Sequence, residues 1–189
     1  MVDQLLQYDK ELFLFLNNLG TPTWDGFWLL VTNKLTFIPL YAVLLYLIYR
    51  KLGLKTILVL VLVIVAMITF TDQITNLFKD GFERLRPCRE EGVKEFMRFI
   101  ATRCGKYGFF SGHSSNTMAV AVFTGLLLKP YYNKLIFILL FWSALVAYSR
   151  IYVGVHYPLD IISGMAFGAI SGFIFYKLQQ YLSRRFITS

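Results

Sequence analysis

Long apolar stretches run through this chain, broken at only a few points. A bilayer core asks for about 20 apolar residues of helix. Thr56 to Phe78 is such a stretch, interrupted by Asp72, and Ile161 to Tyr181 is another. Leu135 to Tyr148 is shorter and reaches adequate length by running on to Tyr152. Trp24 to Tyr49 can span with Lys34 inside it. Either Lys34 snorkels, or the span starts near Leu35 after an interfacial stretch. Thr117 to Leu128 spans only if its helix starts near Ser111. Leu5 to Leu19 has a short apolar core flanked by acids and reads as an amphipathic interfacial helix. The pattern predicts an all-α, polytopic transmembrane helical bundle of about five spans plus an N-terminal interfacial helix.

Composition agrees. Of 189 residues, 57% are hydrophobic and 16% charged, against about 25% charged in soluble domains. No linker or internal repeat divides the chain, so residues 1–189 read as a single integral membrane domain. Met1 to Gly20 lacks a basic start and carries Asp3, Asp9 and Glu11, which argues against a cleaved signal peptide. The net charge of +8 reads as membrane topology. No basic face interleaved with exposed aromatics points to nucleic acid. Arg50, Lys51 and Lys55, then Lys129 and Lys134, then Lys177, Arg184 and Arg185 would share one side, with no acid among them. The positive-inside rule makes that side cytoplasmic. The Lys79–His113 loop and the Arg150–Asp160 turn then fall on the extracytoplasmic face.

Polar chemistry concentrates in three strings on that face: Lys79-x6-Arg86-Pro87, Ser111-Gly112-His113, and Ser149-Arg150-x5-His156-x3-Asp160. They contain the only two histidines, the side chains that exchange protons near neutral pH. Lys79, Arg86 and Arg150 supply positive charge, and the guanidinium fork matches phosphate oxygens. Ser111, with the N–H groups of Gly112 and His113, would open a helix whose N-terminus favours anions. Asp160, four residues after His156, could hold the imidazole by one ring N–H and leave the other nitrogen as a nucleophile. His113 would donate a proton to the leaving oxygen. No spacing resembles a zinc or calcium site, and no metal or cofactor is implied.

Order and spacing of the three strings resemble the motifs of the type 2 phosphatidic acid phosphatase superfamily, over roughly Leu5 to Leu182. The resemblance implies that Lys79, Arg86, Ser111, Gly112 and Arg150 bind a phosphoryl group. It implies that His156 attacks phosphorus to form a phosphohistidine, that His113 protonates the leaving group, and that Asp160 orients His156. The family is metal-independent. Its usual Pro before Ser-Gly-His is Phe110 here, which removes no reacting group. The implied function is a membrane lipid phosphatase of the bacterial inner membrane. Undecaprenyl diphosphate is the favoured substrate, because an outward site suits carrier-lipid recycling. Phosphatidylglycerophosphate and lipid A are the alternatives. Transfer to an acceptor other than water, and a catalytically silent lipid-binding or transport protein, are the other readings.

Several residues fall outside the strings. Arg84 and Arg89 read as anchors to lipid headgroups. Asp72 is either a floor to the site or a structural hydrogen-bond partner. Gly164, Gly168 and Gly172 form a stripe suited to close packing within the bundle. Trp24, Trp28, Tyr131 and Tyr132 read as interfacial belt residues. Cys88 and Cys104 share one loop and are either bridged or two free thiols. Val93, Phe96, Met97 and Ile100 recur at helical spacing, so an amphipathic helix framing lipid entry is expected there.

Overall fold

The computed structural model describes residues 1–186. Its element order is α1 (Val2–Asn18), α2 (Pro22–Thr32), a 3₁₀ turn (Lys34–Phe37), α3 (Ile38–Phe82), a second 3₁₀ turn (Pro87–Arg89), α4 (Gly112–Leu128), α5 (Leu135–Tyr152) and α6 (Pro158–Phe186). No strand forms among the described residues, only an antiparallel bridge between Leu85 and Tyr107. The fold is an all-α membrane bundle. The segments Lys34–Phe82, Leu135–Tyr152 and Pro158–Arg185 are long and apolar enough to cross a bilayer.

α3 supplies two of the passes. Gly53 stands at φ 75°, ψ 171° inside it, a conformation open to glycine. The chain turns back there, so Leu44 and Ile48 line the same cavity as Val61, Ile64 and Ile68. α4 is the central helix, with buried residues from Ser114 to Leu128 on nearly every face, as expected of a helix surrounded by others. It packs against α3, α5 and α6. Large apolar side chains such as Leu62, Phe137 and Phe141 point outward, where lipid tails would cover them.

The glycine stripe explains the closest contact. A Cβ added at Gly164, Gly168 or Gly172 would stand 2.6, 2.2 or 2.5 Å from the carbonyl oxygens of Ser111, Ser115 and Ala119. α6 therefore lies backbone to backbone on α4, and the stripe packs within the bundle.

The structure decides between two readings of one stretch and changes one expectation. The stretch from Trp24 to Tyr49 is not one helix: it breaks at Asn33, whose Oδ1 accepts the Leu35 N–H at 3.0 Å. A span beginning near Leu35 after an interfacial stretch is thus the reading that holds. The segment 90–102 forms turns rather than an amphipathic helix. Gly92 at φ 78° interrupts any helix there. This segment packs on α1 and α5. Val93 joins a cluster with Phe13, Ala147 and Ile151, and Asn17 accepts the Arg98 N–H at 2.7 Å.

Candidate active site

The first string ends α3. Glu83, at φ 48°, caps the helix, so Lys79 sits in its last turn and Arg84 and Arg86 lie beyond it. Arg86 Nε donates to the Tyr107 carbonyl at 2.9 Å, which ties the two ends of the loop together. A disulfide joins Cys88 to Cys104, with Cα atoms 6.4 Å apart. Arg89, the other expected headgroup anchor, donates to the Cys104 carbonyl at 3.2 Å.

The second string begins α4. Ser111 is its N-cap, and its Oγ accepts the Ser114 N–H at 3.4 Å and the Ser114 hydroxyl at 3.0 Å. The Phe109–Phe110 peptide bond before it is cis, and Phe110 packs against Phe78 and Phe167. The Ser111 N–H donates to the Asp160 carbonyl at 2.9 Å. The starts of α4 and α6 are thereby held together.

The third string spans the α5–α6 turn. Arg150 Nη1 donates to Thr32 Oγ1. His156 Nδ1 faces Asp160 Oδ2 at 3.3 Å, and the Gly108 backbone also hydrogen-bonds the ring. Asp160 Oδ2 further accepts the Tyr157 N–H at 3.0 Å. Gly108 is needed at this approach: a Cβ there would stand 3.0 Å from Asp160 Oδ2. With Nδ1 occupied on that side, Nε2 is the nitrogen left to the cavity. Burial, then the cations Arg86, Arg150 and Lys79, hold His156 well below its ordinary value of 6.5, so the imidazole is neutral.

All three strings open on one cavity of about 930 Å³. Lys79, Arg86, Gly112, His113, Arg150 and His156 line its polar end. Ser111 and Asp160 lie behind that wall, fully buried. The other end is apolar and runs between the two arms of α3, past Leu44, Val61 and Ile68. Asp72 lines the cavity between these ends and also accepts the Asn116 Nδ2–H at 2.8 Å. Both readings of Asp72 therefore describe it.

Sequence reasoning missed three charged residues here. Lys34 and Arg103 line the cavity beside the strings. Arg84 is not a headgroup anchor but a half-buried bridge, bonded to Asp160 at 2.9 Å and to Asp9 at 2.6 Å. A signal for Asp9 was present: it falls four residues before Phe13 and eight before Asn17, on the buried face of α1. An acid on such a face asks for a partner.

A membrane bundle that gathers cations and two histidines at one end of a cavity with an apolar far end defines a class of membrane enzymes acting on phosphate. The sequence profile of the PAP2 superfamily matches residues 55–184. A lipid A 4'-phosphatase of Porphyromonas gingivalis is 35% identical over 98% of this chain and 79% of that protein. One from Bacteroides thetaiotaomicron is 33% identical over 98% of this chain and 83% of that protein. The crystal structure of a transmembrane PAP2-type phosphatidylglycerolphosphate phosphatase from Bacillus subtilis, 17% identical, superposes with a TM-score of 0.76 over 96% of this chain and 89% of that one. The chain belongs to the PAP2 superfamily and is a membrane lipid phosphatase.

Proposed function

We propose that this protein removes the 4'-phosphate of lipid A at the extracytoplasmic face of a bacterial inner membrane. The cavity carries the reading: its cationic end suits a phosphate, and its apolar end suits the chains of a lipid still embedded in the bilayer. The expectation of undecaprenyl diphosphate gives way to lipid A, because two relatives of that activity match nearly the whole chain.

The chemistry follows from the positions. Lys79, Arg86 and Arg150, with the N–H groups at the start of α4, hold the phosphoryl oxygens. The buried Arg150 Nε has no hydrogen-bond partner among the described residues. The neutral His156 attacks phosphorus through Nε2, forming a P–N bond as the P–O ester bond breaks. His113 gives its proton to the departing sugar oxygen. The oxygen of a water then displaces His156 from phosphorus while His113, now neutral, takes that water's proton, so inorganic phosphate leaves and both histidines are restored. Asp160 stabilises the charge that His156 gains.

The test is phosphate release by purified protein from lipid A, undecaprenyl diphosphate and phosphatidylglycerophosphate, with mass spectrometry locating the lost phosphate. Lipid A should react fastest and lose the 4' group, and His156→Ala should release none. A faster undecaprenyl diphosphate reaction would overturn the substrate, and an active His156→Ala would overturn the nucleophile.

A further inference from the structure

The N-terminal helix reaches the site through Arg84. Asp9 Oδ2 accepts from Arg84 Nη2 at 2.6 Å, and Asp9 Oδ1 accepts the Leu159 N–H at 2.9 Å. Arg84 Nη1 donates to Asp160 Oδ1 at 2.9 Å, and its guanidinium lies 4.3 Å over the Tyr157 ring. The other oxygen of Asp160 faces His156. Asp9, Asp160 and His156 are 4%, 0% and 2% exposed. One planar fork thus bridges carboxylates from two helices, a geometry that lysine does not reproduce.

We propose that Asp9 and Arg84 are positioning residues: together they hold Asp160 against His156 and set the charge the imidazole feels. The proposal rests on the reading of His156 as nucleophile. It makes docking of α1, otherwise an interfacial helix, a condition for full activity.

The charges predict opposite signs. His156 is faced by Lys79 from α3, by Arg86 and the Gly108 backbone from the loop, and by His113 from α4, while Arg84 reaches it through Asp160. Arg150 of α5 and Asp160 of α6 complete the set, with Asp9 of α1 acting through Arg84. Arg84 offsets the negative field of Asp160. Without it, the imidazole takes a proton at higher pH, and the nucleophile is lost sooner on acidification. Asp9 offsets Arg84. Without its charge, Arg84 opposes protonation more strongly, and the imidazole stays neutral to lower pH.

The experiment measures kcat/KM against pH for wild type, Asp9→Asn and Arg84→Met on one lipid phosphate. This ratio reports the free enzyme, and ionisation of the substrate is common to all three. The acid limb should move to higher pH in Arg84→Met and to lower pH in Asp9→Asn. Each kcat should fall about 10-fold with little change in KM. A merely structural role lowers the folded fraction and scales the curve without moving the limb. Where Arg84→Met fails to fold, Arg84→Lys replaces it. That variant keeps the charge but not the fork, so kcat should fall with the limb in place. A limb fixed in Asp9→Asn or in Arg84→Met, both moving the same way, or a moved limb in Arg84→Lys overturns the proposal. His156→Ala in the same assay separates this failure from that of the nucleophile, since only the latter leaves His156→Ala active.

Discussion

At the scale of single residues, the proposed mechanism divides the work of the two histidines by position. His156 lies buried behind the cations, with its Nδ1 facing Asp160. His113 lies one residue into α4, on the cavity wall, where a leaving oxygen can meet it. A general acid matters in proportion to the basicity of the group that leaves. His113→Asn should therefore slow release from a lipid phosphate by about 10²- to 10⁴-fold, while release from p-nitrophenyl phosphate changes far less. Equal losses on both substrates in a steady-state assay would remove the proton-donor role. That the three strings belong together was legible because polar side chains are scarce in this chain, and the structure brings them to one cavity. Arg84 was not, since it reads like its neighbours in a charged loop, and its partner Asp9 is 75 positions away.

At the scale of elements, the strings depend on two helices meeting at fixed depth. α4 carries His113 and α6 carries Asp160, and the glycine stripe sets their separation. Gly168→Ala places a Cβ 2.2 Å from the Ser115 carbonyl. Backbone cannot yield as a flexible side chain does, so the helices must part. A loss of about 1–3 kcal/mol is expected, seen as a lower Tm in detergent, with activity falling alongside. Gly26→Ala is the contrast. It lies within α2 and its added Cβ meets nothing within 4 Å. It should leave activity intact and raise stability by about 0.5–1 kcal/mol. If Gly168→Ala were as stable as wild type, close α4–α6 packing would not be what holds the site. Apolar run lengths made the spans legible. Lys34 left the break near Leu35 as one of two readings, and Asn33 decides it; the turns at 90–102 were not legible, because Gly92 acts through local backbone geometry that apolar periodicity does not register.

At the scale of the whole molecule, charge sorts to the two ends of the bundle. Lys51 lies over the rings of Tyr131 and Tyr132, at 5.6 and 5.8 Å, so the turn at Gly53 and the α4–α5 connection share one end. That end carries Arg50, Lys51, Lys55, Lys129 and Lys134 with no acid. The other end carries the site and the disulfide, whose loop closure is worth about 3 kcal/mol in the chain-entropy model. Disulfides persist in oxidising compartments, so the bridge and the positive-inside rule each support the proposal that the site faces outside the cytoplasm. Single cysteines make this testable once Cys88 and Cys104 are replaced by serine. Lys51 and Glu91 are both exposed and sit at opposite ends. In intact spheroplasts a membrane-impermeant maleimide should label Glu91→Cys and spare Lys51→Cys until the membrane is permeabilised. The reverse pattern would put the phosphate pocket in the cytoplasm. Hydrolysis of lipid A on the outer leaflet would then be impossible for this protein, whatever its rate in detergent.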